Sequence, residues 1–205
     1  MSLKTILFDL DGVLVDTATI QIDSTMQAIK EIENVDCSHN PDILNIITRT
    51  ITTRNKLELM SEMKYISEEN IEVIYNKKKE IADSIFELME RQEETINIMK
   101  ILKQRNCNIA VVTNGNRRSA LKILNAIGVT EYLDLVIAND DCIRGKPCSE
   151  PYVRAMLHFG GKLEDYLIFE DSFDGLTSAR NTGAKIYHVK DISDVNTNLI
   201  NNLLK

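Results

Sequence analysis

The chain has 205 residues, 43% of them hydrophobic and 27% charged, and a formal net charge of −7 from 24 Lys and Arg against 31 Asp and Glu. These are the proportions of an ordinary globular protein with room for one large domain, or for a core and a smaller attachment, and they exclude disordered, fibrous and disulfide-scaffolded classes. The acidic balance speaks against a nucleic-acid surface, which must be locally basic, and no stretch approaches the roughly 20 apolar residues of a membrane helix.

Thr5–Phe8 is a short apolar, β-branched run that ends on Asp9 and Asp11. From Thr17 to Met89 no strand pattern appears; the segment has helical periodicity and charge, as in Ile66–Met89, where Lys77, Lys78 and Lys79 read as a solvated face. Further strand-like runs follow at Asn108–Thr113, Leu133–Ala138, Tyr166–Phe169 and Lys185–Val189. Helical patterns lie between or after them at Ser119–Ile127, Tyr152–Phe159, Leu176–Asn181 and Val195–Leu204, several closed by a glycine such as Gly128, Gly160 or Gly183.

Strands alternating with helices predict a parallel sheet, here a doubly wound, Rossmann-like α/β core. Asp9 and Thr113 end successive strands, yet they stand 113 − 9 = 104 positions apart, whereas a crossover with its helix needs only about 10–12 residues. The excess is an α-helical insert. The expected domains are therefore a core of residues 1–16 and 90–205 and a helical cap of residues 17–89. Because the insert leaves at the carboxyl edge of the first strand, where such sheets bind ligands, it is expected to act as a lid.

Cys37, Cys107, Cys142 and Cys148 form no C-x-x-C pair and have no His at zinc spacing, so free thiols in a reducing compartment are expected. The N-terminus runs straight into strand-like sequence instead of a signal peptide. The expectation is a cytoplasmic monomer without nucleic-acid or membrane partners. His39, His158 and His188 stand apart from every motif and read as structural or surface groups, while Arg49 and Arg54 are cap candidates for substrate charge that read at least as well as solvated surface.

Four places carry chemistry. In extended backbone, residues two apart point the same way, so Asp9 and Asp11 can bring both carboxylates to one small volume, where repulsion raises one pKa unless a cation is present. Acids at a strand end can equally well cap a turn. Val111-Val112-Thr113-Asn114-Gly115 delivers a hydroxyl and a turn whose N–H groups can hold phosphate oxygens, although Asn-Gly is also a common turn. Gly145-Lys146-Pro147 fixes a lysine in the loop ahead of a helix. Leu167–Asp171 ends an apolar run on Glu170 and Asp171, hard oxygen donors of the kind that suit Mg²⁺. All six side chains fall at the carboxyl ends of four parallel strands, where an α/β sheet forms its binding crevice.

In this order and spacing, FDLDGVLVD (8–16), VVTNG (111–115), GKP (145–147) and FEDSFDG (169–175) resemble the four motifs of the haloacid dehalogenase superfamily, over nearly the whole chain. The helical insert, the GKPCSEPY stretch and the GLTSARNTG tail at 175–183 resemble its β-phosphoglucomutase and phosphoglycolate phosphatase-like branch. The resemblance implies that Asp9 is the nucleophile that forms an aspartyl-phosphate. Asp11 would protonate the leaving oxygen and then activate water. Thr113 and the Asn114 N–H would hold phosphate, and Lys146 would neutralise charge on Asp9 and the transferring group. Asp9, the Asp11 carbonyl, Glu170 and Asp171 would form a Mg²⁺ site.

The implied substrate is a small phosphate monoester, a sugar phosphate or a phosphoglycolate-like compound, and the implied activity a phosphatase. A β-phosphoglucomutase-like mutase is the alternative; a phosphoacceptor signalling domain and a non-catalytic regulator rank lower. Departures from the mutase pattern favour the phosphatase. Gln21 stands where mutase-like relatives carry a His, Asn114-Gly115-Asn116 lacks their Lys, and Ile47-Thr48-Arg49-Thr50 takes the place of their glycine-bearing specificity loop.

Overall fold

The computed structural model describes residues 3–49 and 51–204, so Thr50 of the Ile47–Thr50 stretch lies outside the described residues. The chain divides into two compact units: one runs from Thr17 to Leu88, the other up to Asp16 and again from Met89 onward. Met89, counted with the insert above, groups with the core.

β1 (Thr5–Phe8) is followed, among the described residues of the inserted unit, by four α-helices, α1 (Ala18–Glu33), α2 (Pro41–Ile47), α3 (Thr53–Glu62) and α4 (Ile71–Phe86). Starts are chemically marked: Asn40 caps α2 by accepting from the N–H groups of Asp42 and Ile43, with Pro41 opening the first turn, and Thr52 caps α3 through Asn55. The unit has its own core, in which Ala28 and Ile29 of α1 meet Ile43, Ile47, Leu57, Met60 and Ile74. One expectation fails here. Lys78 is buried, not solvated, and its ammonium donates to the Gln21 side chain. Helical rotation of 100° per residue explains it, since position 78 shares its face with buried Ile74 and Ala82. Arg54 pairs with Glu72 at 2.6 Å and lies 4.7 Å over the Tyr75 ring.

The core continues with α5 (Glu93–Gln104), β2 (Asn108–Val112), α6 (Arg117–Ala126), β3 (Leu135–Ile137), α7 (Glu150–Phe159), β4 (Tyr166–Glu170), α8 (Phe173–Arg180), β5 (Lys185–His188) and α9 (Thr197–Leu203). The sheet order is β3-β2-β1-β4-β5, with every neighbouring pair parallel. β1 is central: Leu7 pairs with Ala110 on one side and Ile168 on the other, and all four of its residues are buried. That is why its sequence is a continuous apolar run instead of an alternating one. β3 is shorter than the Leu133–Ala138 run; just ahead of it the Asp134 N–H donates to the Ile109 carbonyl (2.9 Å) while its carboxylate accepts from the Ile109 N–H (2.8 Å) and from Lys103 (2.5 Å).

All four cysteines are free, the three histidines are exposed, and no helix among the described residues is long and apolar enough to cross a membrane.

Candidate active site

The site grows from the end of the central strand. The Asp9 N–H donates to the Phe169 carbonyl (2.9 Å), extending the β1–β4 ladder by one step and fixing Asp9 at the middle of the sheet's carboxyl edge. Asp9 is 7% exposed. Its Oδ1 accepts from the Lys146 Nζ at 2.5 Å, and the same ammonium donates to Glu170 Oε2 at 2.7 Å.

Lys146 reaches this spot from the loop between β3 and α7, and Asn114 pins that loop. The Asn114 amide donates to the Lys146 carbonyl (3.0 Å) and accepts from the Lys146 N–H (2.8 Å). A Cβ on Gly145 would sit 2.7 Å from the Asn114 Oδ1, so the latch closes only over a glycine. The sequence offers the Asn114 N–H to phosphate; the structure adds a side-chain role that no sequence pattern announces. Thr113 is buried, and its Oγ1 accepts from the Gly115 N–H at 3.0 Å, which orders the turn after β2.

Glu170 is fully buried and heavily engaged. Its Oε2 accepts from Lys146 and from the Tyr152 hydroxyl (2.6 Å), and its Oε1 from the N–H groups of Asp171 (3.1 Å) and Ser172 (3.2 Å) and the Ser172 hydroxyl (3.0 Å). Ser172 also caps α8 by accepting from the Gly175 N–H at 3.1 Å. Asp171 differs. Its Oδ1 is the one buried side-chain polar atom among the described residues with no hydrogen-bond partner. The turn after β1 passes close by: Gly12 has φ +79°, and a Cβ there would lie 2.2 Å from Asp171 Oδ2.

Asp9, Glu170 and Asp171 can each bring a carboxylate oxygen within 4.8 Å of the others. The Asp11 carboxylate is not one of this group, and Asp11 is exposed. Beyond Leu10 the chain folds into a tight turn, in which the Gly12 N–H donates to the Val15 carbonyl (2.7 Å) and the Val15 N–H to the Leu10 carbonyl (3.2 Å).

The charges are unevenly shared. Burial pushes the Asp9 carboxyl up to about 8 against the pull of Lys146, with Glu170 and Asp171 adding repulsion. Burial likewise lifts Asp171 to about 6, helped by the Glu170 charge. Burial works the same way on Glu170, but Lys146 and the surrounding donors outweigh it and hold this group below its ordinary value. Burial also opposes the charge on Lys146, yet Asp9, Tyr152 and Glu170 hold its pKa well above the ordinary value. One ammonium thus serves two buried acids, and the one with more donors, Glu170, is the one held below its ordinary value.

The cage around Glu170 sets up a stability test. A Cβ on Gly175 would lie 2.0 Å from the Glu170 carboxyl group, and five donors prevent that group from moving aside. Gly175→Ala should therefore destabilise the protein by about 2 kcal/mol through overpacking, although alanine in a helix is ordinarily favoured over glycine by about 1 kcal/mol. A urea midpoint equal to or above that of the wild type would show that the cage yields.

A family model described as haloacid dehalogenase-like hydrolase matches residues 6–189. Among curated proteins, the chain is similar to the pyrophosphatase PpaX of Halalkalibacterium halodurans, 27% identical over 186 residues that cover 90% of this chain and 82% of that protein. It is also similar to the phosphorylated carbohydrates phosphatase of Thermotoga maritima, 25% identical over 191 residues, covering 91% and 85%. Of solved structures, the β-phosphoglucomutase from Clostridium difficile superposes with a TM-score of 0.74 at 15% identity, covering 98% of this chain and 97% of that one. CbbY from Rhodobacter sphaeroides in complex with phosphate gives 0.73 at 19%, covering 90% and 84%. At such identities the two structures share the fold.

Proposed function

The chain belongs to the haloacid dehalogenase-like hydrolase family, and from that premise we propose that it is a Mg²⁺-dependent phosphatase that hydrolyses a small phosphate monoester through an aspartyl-phosphate on Asp9. The observation that carries the reading is the buried 2.5 Å contact between Lys146 and Asp9 at the centre of the sheet edge. A carboxylate held at one oxygen by a cation leaves its other oxygen to attack.

In the first step that oxygen attacks phosphorus, the P–O bond to the leaving group breaks, and Asp11 gives its proton to the departing oxygen. In the second, water attacks the phosphoryl group, Asp11 takes the water proton, and the Asp9 carboxylate is released with inorganic phosphate. Thr113 and the Asn114 N–H, at the head of the neighbouring strand, hold the non-bridging oxygens, while Lys146 offsets the charge gathered there.

The residues also fit a divalent cation. The unpartnered Asp171 Oδ1 beside Asp9 offers hard oxygen donors, and Glu170 completes the acidic group. Mg²⁺ held there would neutralise carboxylates that otherwise repel a phosphoryl dianion. The relatives named pyrophosphatase and phosphorylated carbohydrates phosphatase support a small phosphate compound as substrate. A phosphatase also fits the inserted unit, in which Gln21 lacks the acid–base chemistry of imidazole and is bonded to Lys78. The free thiols fit a reducing cytoplasm, where we place the protein.

The test is phosphate release, with Mg²⁺, from p-nitrophenyl phosphate, sugar phosphates, phosphoglycolate and pyrophosphate. We expect turnover of at least one of them and its loss in excess chelator. Full activity in chelator would remove the cation, and glucose 6-phosphate forming from β-glucose 1-phosphate faster than free phosphate would replace the phosphatase with a mutase.

A further inference from the structure

Tyr152 takes no part in the chemistry above, yet it is fully buried against the two groups that govern Asp9. Its hydroxyl donates to Glu170 Oε2 at 2.6 Å, and its ring centroid lies 4.8 Å from the Lys146 Nζ. We propose that Tyr152 is a positioning residue for Lys146, forming with Glu170 a fixed clamp that keeps the ammonium on Asp9. The inference rests on the reading of Asp9 as the phosphoryl acceptor.

The need for a clamp follows from the reaction. A lysine ammonium is a point charge on a flexible four-carbon stem with three donors and no acceptor, so its position is set by what it touches. In this site it touches Asp9 and Glu170. Once the other oxygen of Asp9 is joined to phosphorus, Asp9 is no longer a carboxylate anion and its hold on the ammonium weakens. Glu170 must then keep Lys146 in place for the hydrolytic step.

Glu170 itself is held in two halves. Its Oε1 is fixed by the Asp171 and Ser172 N–H groups and the Ser172 hydroxyl, all supplied by the turn into α8. Its Oε2 faces Lys146, and the second donor there is the Tyr152 hydroxyl. A hydrogen bond to a buried carboxylate is charge-assisted and short, which suits it to fixing an oxygen. Tyr152 lies on the first turn of α7, six positions after Lys146, so one loop-to-helix segment carries both the ammonium and its guide. The Asn114 latch fixes that segment's backbone at Lys146. The ring adds a cation–π contact from the side.

A phenylalanine at position 152 would fill the same core space and keep the ring contact while leaving Glu170 Oε2 with Lys146 alone. Steady-state and single-turnover rates on p-nitrophenyl phosphate with Mg²⁺ should be compared for wild type, Tyr152→Phe, Lys146→Ala and the double variant. Tyr152→Phe should lower kcat about tenfold, the scale for loss of an outer-shell partner, with KM and the Mg²⁺ concentration for half-maximal rate each within about threefold of wild type. In the Lys146→Ala background the same change should cost less than about twofold, because no ammonium remains to be positioned.

A purely structural tyrosine would behave otherwise, lowering the urea midpoint in both backgrounds while leaving the kcat of folded protein unaltered. An unchanged kcat, or an equal fold-loss in both backgrounds, overturns the inference. So does a shift of about tenfold or more in the Mg²⁺ requirement, which would place the effect on the cation. Should Tyr152→Phe not fold, Glu170→Gln takes its place in both backgrounds: a kcat loss that shrinks without Lys146 supports the clamp, and an equal loss in both overturns it. A wild type that releases no phosphate overturns the phosphatase reading and this inference with it; an active wild type with an unaltered Tyr152→Phe rate overturns this inference alone.

Discussion

Replacing Asp9 with Asn is expected to lower phosphatase turnover by a factor on the order of 10³ or more, as loss of a nucleophile does, while leaving the protein folded and no less stable. The two halves of that expectation come from one observation. Asp9 is 7% exposed and stands beside Glu170 and Asp171, and burial has pushed its carboxyl up to about 8. A buried acid with a perturbed pKa beside other acids is what a working site would hold. The amide keeps the planar shape, and its oxygen can still accept from Lys146, but it carries no charge to desolvate and cannot attack phosphorus. Activity and urea denaturation measured on the same preparation, in chelator for the stability arm, decide the matter. Turnover at the wild-type rate would move the nucleophile elsewhere, and a large fall in stability would mean that the Asp9–Lys146 ion pair outweighs its desolvation.

The centre of the sheet is legible in the sequence because β1, β2 and β4 are short, almost wholly buried runs bounded by polar turns, and parallel strands buried on both faces demand an apolar composition. α5 is harder to see for a local reason. Its buried Thr95, Ile98, Met99 and Leu102 have helical spacing and Glu93 and Glu94 stand in its first turn, but Gln92 is not a capping residue type and makes no side-chain cap bond, so its start is only weakly marked. The placing of Asp9, Glu170 and Asp171 at one sheet edge follows from parallel strands whose ends are visible in sequence, whereas the order β3-β2-β1-β4-β5 and the reach of the Lys146 loop come from the structure. The tight turn that follows β1 is less legible: alternation is a guide only while the chain is extended, and the left-handed Gly12 turns the chain there. Lys78 shows the converse limit. Three consecutive helical residues span about 200° of arc, so a run of three lysines cannot all lie on one face. The side-chain roles of Asn114 and Tyr152 are out of reach for a further reason. A buried tyrosine or a turn asparagine reads the same whether its polar atom meets a backbone group or a glutamate, and only tertiary contact decides.

Lys146→Met should be the most damaging change in the core that removes no carboxylate. The Lys146 side chain is 3% exposed and ion-paired with Asp9 at 2.5 Å and Glu170 at 2.7 Å. Methionine matches its length without the charge, so the packing around the stem survives and the electrostatics do not. Removing one partner of a buried ion pair strands the other; the ordinary cost is about 3–5 kcal/mol, and here about 3 kcal/mol is expected. The lower figure follows from the structure: Glu170 retains four of its five donors, and Asp9, already inclined to hold its proton, can do so fully. Turnover should fall about 10²- to 10³-fold, the scale for losing one preorganised group that meets charge developing in the transition state. The stability arm belongs in chelator, so that a cation cannot stand in for the missing ammonium, and the rate arm belongs in saturating Mg²⁺. If the variant kept its urea midpoint in chelator, the desolvation of Lys146 would already cancel its two ion pairs. If it also turned over within about threefold of wild type, far short of the loss expected for such a group, Lys146 would have no part in neutralising the transferring phosphoryl group.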